Sequence, residues 1–470
     1  MYSDAKSAVL YNGQISRFFP VYRGVRQGSS LSSKLYLLYI NDLLEELSDC
    51  RRGILVTDIH ISSPVQADDI ALISTNCCNM QTMVTICENY SIDWKFKFNP
   101  LKSIQLNFSK SKQHTDILLY NSSIQLEISA RHVGVLLNSN LNSMDRTLQA
   151  CRTLRSSALG LIKSGLHPSV ISIDTCNRIV RQVCFTKAFF GCELWTEITN
   201  TEILLLERAQ RYVCKSIQGL PRQTRSDMVN ALIGWKSAES YIDERKLLFL
   251  GKLVLMKDSM LPKQIFLTRA MEFKYNCVKH QLGFIPDIHR ILVNYRLSDF
   301  DTYLSTGHFP TYIQWKKTVK VAVQETEESL WRFRTQIDKD FKFFSRIHTL
   351  SKGLHPARTF SRKHPLLIEQ CRFIVNLQLG YIGCYKDDGS RHLKYKMSDL
   401  GNSITLDKCR EHCKEYKYTG LQYRTYCLCG NKLKNQRYPK VPDSDCNMAC
   451  AGETNRMCGG ASRNSIYLGN

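Results

Sequence analysis

Three groups of residues have the types and spacing for chemistry. The first is the adjacent pair Asp68 and Asp69, set in Val65-Gln66-Ala67-Asp68-Asp69-Ile70-Ala71-Leu72-Ile73. Neighbouring carboxylates suit a hard divalent cation such as Mg²⁺, which binds oxygen and can bridge carboxylate to substrate phosphate. Two such ions activate an attacking hydroxyl and steady a leaving group. Paired aspartates are also common in plain surface turns, and the apolar flanks here favour a strand–turn–strand with the carboxylates at its tip. The second group is Arg23-Gly24-Val25-Arg26-Gln27-Gly28-Ser29-Ser30-Leu31-Ser32. Its glycines allow close backbone approach and a polar helix start follows, an arrangement that can hold a nucleotide or template base. The plain alternative is a turn before a helix capped by Ser29, Ser30 or Ser32. The third is a run of eight cysteines after residue 380: Cys384, Cys409, Cys413, Cys427, Cys429, Cys446, Cys450 and Cys458.

The elements that must position these residues read as α+β. Residues 31–47 have helical periodicity, 80–93 form a second helix, and 103–108 and 133–137 read as short strands. Gly13 marks a turn. From about residue 146 the chain becomes mostly helical and basic. In 201–217, Leu206, Val213 and Ile217 share an apolar face while Arg208, Arg211 and Lys215 share another, which reads as a solvated face more readily than as a nucleic-acid contact. Gly219-Leu220-Pro221 ends that helix. The expected domains are 1–145, 146–380 and 381–470.

Taken together, Arg-Gly-Val-Arg-Gln-Gly-x-x-Leu-Ser followed some 40 residues later by Ala-Asp-Asp resembles the reverse transcriptases of non-LTR (LINE-type) retrotransposons. Trp94-Lys95-Phe96-Lys97-Phe98-Asn99-Pro100-Leu101-Lys102 is similar to the palm segment after the Asp pair, and His132-Val133-Gly134-Val135 to the primer grip. The resemblance implies a partial palm over 1–145 and a helical thumb or connection region over 146–380. It also implies Asp68 and Asp69 as catalytic Mg²⁺ ligands, Lys102 as the general acid toward pyrophosphate, Arg26, Gln27 and Gly28 against nucleotide or template, Gly134 at the primer, and RNA and DNA as partners. Another catalytic Asp stands earlier in the family's palm, and this chain begins after it. The expectation is therefore an RNA-directed DNA polymerase palm that is inactive as written.

The tail, 381–470, is a separate module. An even number of cysteines at this density predicts four disulfides, with the pairing open, and metal binding is the lesser alternative because no CxxC pair is present. The order of cysteines and aromatics resembles the WSC domain. That resemblance implies a small disulfide-rich α+β fold needing no cofactor and candidate glycan contacts at Tyr385, Tyr418, Gln422 and Tyr423, although tyrosines of small domains often build the core instead.

Composition bounds the rest. With 43% hydrophobic and 23% charged residues the chain is globular, and 24 glycines and 12 prolines in 470 residues exclude a low-complexity chain. A net charge of +22 favours a polyanionic partner. No apolar run reaches the roughly 18–20 residues of a transmembrane helix, and no signal peptide opens the sequence, so the default location is intracellular. The tail's disulfides point instead to the secretory pathway or cell exterior. Three readings follow: a retrotransposon-derived fragment joined to a WSC module, a polymerase completed by a longer reading frame, or an extracellular glycan-binding protein with a mis-joined upstream region. The first describes this chain best.

Overall fold

The computed structural model describes residues 5–22, 31–109, 115–166, 170–220, 224, 226–275, 282–298, 302, 309–337, 381–434, 436–453 and 456–468. The chain divides into two compact units, Met1–Asn142 with Lys257–Asn276, and Ser143–Met256 with Cys277–Asn470.

The first unit is built from hairpins, most with two-residue turns, and helices. Asn12-Gly13 turns the Leu10–Tyr11 strand onto Gln14–Ile15, both turn residues having positive φ. Asn-Gly is the pair that such a turn prefers, since its twist matches that of the strands. The helical pattern of 31–47 becomes two helices, Ser32–Tyr39 and Asn41–Asp49. Cys77–Asp93 is a third, started by the Asn76 side chain, which accepts a hydrogen bond from the Asn79 amide at 2.8 Å. Leu43, Leu47, Met83, Cys87 and Tyr90 form the core between the second and third helices. The strand Ile104–Leu106 pairs in parallel with Gln125–Glu127, and Ser129–His132 returns antiparallel as Val135–Asn138.

In the second unit, helix Ser143–Lys163 packs on Asn200–Gln218. The latter begins with a reciprocal cap: Thr199 and Glu202 each bond the other's backbone amide. It ends at Gly219 with φ +61°, as the sequence predicts. Leu206, Val213 and Ile217 are buried, while Arg208 is exposed and Arg211 pairs with Glu207 at 3.9 Å. The cysteines of this region fill the core as small apolar side chains: Cys151, Cys176, Cys184, Cys192 and Cys214 are buried. Burial pushes the Cys192 thiol up to about 12. Helix Ala238–Leu255 meets Tyr312–Ile337 at Gly251, where an added Cβ would stand 2.3 Å from the Trp315 ring.

The tail has its own two apolar clusters, one of them centred on its cysteines. Its six-stranded antiparallel sheet runs in the order Lys396–Asp399, Tyr426–Gly430, Tyr418–Gln422, Arg463–Leu468, Tyr381–Lys386, Lys440–Val441. The short helix Leu406–His412, capped by Thr405, carries Cys409 and ends at Cys413. The bridges are Cys384–Cys446, Cys409–Cys427, Cys413–Cys429 and Cys450–Cys458.

Candidate functional sites

The acidic pair stands where the sequence predicts. Val65–Gln66 and Asp69–Ile70 pair antiparallel. The ribbon continues in the same register through Ala71 to Pro64 and Ile73 to Ser62, at 2.9 and 2.8 Å. Ala67 and Asp68 form the turn, with Ala67 at φ +55°, a conformation that costs a non-glycine residue about 1 kcal/mol or more. Along the return strand, side chains alternate between faces. Ile70 and Leu72 pack against the helical core, so Asp69, the residue before Ile70, faces away from it. Asp68 and Asp69 are both exposed.

The aromatic cluster beside the hairpin is a feature that sequence reasoning did not assemble. Tyr39 meets Trp94 edge-on at 5.1 Å between centroids, Tyr90 stacks on Trp94 at 5.6 Å, and Phe96 meets Phe98 edge-on at 5.1 Å. The Tyr90 hydroxyl donates to the Tyr39 carbonyl and the Tyr39 hydroxyl to the Trp94 carbonyl, both at 2.7 Å. Burial, with Asp68 and Tyr39 nearby, holds the Tyr36 hydroxyl above its ordinary pKa. The alternation Trp94-x-Phe96-x-Phe98 was the signal in the sequence.

The other expected site residues of the first unit lie on other elements of the chain. Lys102 is exposed in a turn where the amides of Lys102 and Ser103 both donate to the Asn99 carbonyl, just before the Ile104–Leu106 strand. Gly134, φ +79°, and Val133, φ +48°, form the exposed two-residue tip of the hairpin from Ser129–His132 to Val135–Asn138. Arg26, Gln27 and Gly28 lie outside the described residues. As a cation site, Asp68 and Asp69 have the right donors. Mg²⁺ keeps several waters and takes one or two carboxylates together with substrate phosphates. Two exposed carboxylates at a turn supply that set.

In the tail, two of the four residues expected to contact glycan are buried. Tyr385 is 6% exposed and Gln422 is 3% exposed. Tyr385 packs edge-on against His392 at 5.2 Å, within a core with Leu393, Leu428 and Ile466. The Gln422 side-chain oxygen accepts from Arg391 at 2.7 Å, and Arg391 also pairs with buried Asp387 at 3.4 Å. Both side chains are spent on the interior. Tyr423 is 55% exposed in the loop joining Tyr418–Gln422 to Tyr426–Gly430. Tyr418 is half-buried, with Lys417 Nζ 5.6 Å over its ring.

Comparison with known families agrees with this geometry at both ends. The reverse transcriptase (RNA-dependent DNA polymerase) family model matches residues 2–123, and the WSC domain model matches 381–460. The chain joins a reverse-transcriptase domain to a WSC domain. Three relatives illustrate the match. A WSC domain-containing protein of Arthroderma benhamiae is 38% identical over 91 residues, covering 18% of this chain and 10% of the relative. Kremen protein 1 of Xenopus laevis is 33% identical over 90 residues, 19% of this chain and 20% of the relative. Xylosyltransferase oxt of Drosophila melanogaster is 38% identical over 91 residues, 18% and 10% respectively. The chain thus spans between a tenth and a fifth of these relatives. Reverse-transcriptase domains generally use a divalent metal and bind nucleic acid, and WSC domains suggest glycan binding. No helix among the described residues is long and apolar enough to cross a membrane.

Proposed function

We propose that this chain carries a polymerase domain of the non-LTR (LINE) type joined to a glycan-binding WSC domain, and that the 470-residue polypeptide binds nucleic acid without extending a primer. The observation that carries the reading is the exposed Asp68–Asp69 pair at a hairpin tip, inside the segment that matches reverse transcriptases. A divalent ion bound there would supply charge neutralisation for phosphoryl transfer. Asp68 and Asp69 would hold it, the packing of Ile70 and Leu72 fixes the hairpin that carries them, and Lys102 would be the proton donor toward pyrophosphate in a completed site. In the WSC domain, Tyr423 and Tyr418 offer the ring faces for a sugar.

The test is fluorescence anisotropy of a labelled RNA–DNA hybrid with the whole chain. Binding should weaken linearly in log–log terms as salt rises, the signature of phosphate contacts. Absence of binding at low salt would end the polymerase reading. In parallel, Tyr423→Ala should weaken retention on immobilised oligosaccharide while leaving hybrid binding unchanged.

A further inference from the structure

The geometry points to a second, metal-bound state of the WSC domain: when its bridges are reduced, Cys409, Cys413, Cys427 and Cys429 bind one Zn²⁺. Two independent periodicities bring these four sulfurs together. Cys409 and Cys413 are four residues apart, one turn, along the helix Leu406–His412 and its C-terminal cap. Cys427 and Cys429 are two apart on the strand Tyr426–Gly430 and share one of its faces. The helix face and the strand face meet, so the bridges Cys409–Cys427 and Cys413–Cys429 lie side by side. Across them, Cys413 Sγ stands 3.6 Å from Cys427 Sγ without being bonded to it. The sulfurs of Cys409, Cys413 and Cys427 all lie within 4.8 Å of one another. Tetrahedral Zn²⁺, with Zn–S bonds of about 2.3 Å, needs sulfurs about 3.8 Å apart. One of the four unbonded pairs, Cys413 and Cys427, already has that spacing; Cys429 Sγ, outside the 4.8 Å group, and the two bonded pairs reach it by opening the S–S bonds and turning side chains within the same backbone frame.

The remaining requirements are also met. All four cysteines are fully buried, which gives the dry, closed surroundings of a structural zinc site. Four thiolates around Zn²⁺ leave a charge of −2, and Arg410, buried next to Cys409 in the helix, with Lys408 and Lys414, supplies positive charge around it. The balance is simple. Two equivalents of a dithiol reductant give four electrons and four protons to the two disulfides and leave as two oxidised disulfide products. The four thiols then release four protons as Zn²⁺ binds. Nucleic acid, the partner of the front domain, is met where thiols stay reduced, and disulfides persist where they do not. A zinc-bound form would let one WSC domain keep its fold in both environments.

The experiment takes the whole chain, reduced with a phosphine under argon, and titrates it with Co²⁺ and then Zn²⁺. The expected result is one equivalent of Co²⁺ with the intense visible bands of tetrahedral thiolate coordination, bleached by Zn²⁺. Zn²⁺ should also protect Cys409, Cys413, Cys427 and Cys429 from alkylation, mapped by mass spectrometry on the unmutated chain. Replacing both Cys409 and Cys427 by Ser should weaken that equivalent at least tenfold, whereas replacing Cys384 and Cys446 should leave it. Weak octahedral bands only, bands that persist without Cys409 and Cys427, or protection mapping to other cysteines would each overturn the proposal. The alkylation map decides the matter even if a variant does not fold.

Discussion

Gln66 and Asp69 face each other across a two-residue turn, so one hairpin tip presents Asp68 and Asp69 together while the next residue, Ile70, already packs against the Leu43 and Met83 core. The acidic pair is therefore held by burial one residue away, and the turn between pays for this in backbone conformation at Ala67.

The same kind of turn gives a stability prediction at the primer-grip segment. Val133 has φ +48° directly before Gly134 at φ +79°. A β-branched residue is poorly suited to that position, whereas Asn-Gly is the preferred pair. Val133→Asn should raise stability by about 1 kcal/mol and Gly134→Ala should lower it by a similar amount. Urea unfolding followed through Trp94, the tryptophan of 1–142, measures both with the other four tryptophans replaced by Phe.

Gly251 gives the opposite case. An added Cβ would meet Trp315 Cδ1 at 2.3 Å. That ring is fully buried, with its Nε1 donating to the Leu247 carbonyl at 2.7 Å, so it has little room to yield. Gly251→Ala should cost about 1–3 kcal/mol through overpacking, seen as a lower urea midpoint and an altered Trp315 emission.

A buried acid sets a pH dependence. Asp243, 4% exposed, is pushed up to about 7, chiefly by burial, with Glu239 adding to the shift and Lys246, Arg290 and the Tyr295 hydroxyl opposing it. Between its unfolded pKa near 4 and about 7 the native state holds a proton that the unfolded chain has lost. This group's contribution is therefore full below about pH 4, declines as pH rises to about 7, and is level above that, a change on the order of 4 kcal/mol. Asp243→Asn keeps a polar partner for Tyr295 and should flatten that decline, raising stability at pH 8 relative to the parent. Equal pH slopes in the two proteins would contradict this.

The tail's bridges make a further prediction. Cys409–Cys427 closes a loop with a separation of 18 residues, for which the loss of chain entropy in the unfolded state is worth about 3 kcal/mol. The double variant Cys409→Ser, Cys427→Ser should lose about that much in hydrogen-exchange protection across the strands Tyr418–Gln422 and Tyr426–Gly430. All five tryptophans precede residue 381, so exchange and not tryptophan emission is the readout.

Particular residues show how much of this was legible in the sequence. The Asp68–Asp69 hairpin was, because two apolar strands bounded it and a turn had to fall between. The end of helix Asn200–Gln218 was, because Gly219 followed by Pro221 leaves few alternatives. The single helix read from 31–47 was not, because apolar periodicity runs through Ile40, whose backbone leaves the helix between two separately packed segments. The four bridges were legible in number but not in pairing: which cysteine of the helix meets which of the strand depends on the direction of the helix across the strand, a tertiary fact. The burial of Tyr385 and Gln422 was not legible, because their types suit a surface as well as a core and both faces of their strands are covered.

Primer extension tests the central claim most directly. The whole chain is incubated with a labelled primer on an RNA template, deoxynucleotides and Mg²⁺, alongside binding measured on the same hybrid. The account predicts salt-sensitive binding with no added nucleotide. Extension that disappears in Asp68→Asn or Asp69→Asn would contradict it and would show that the chain assembles a complete polymerase site.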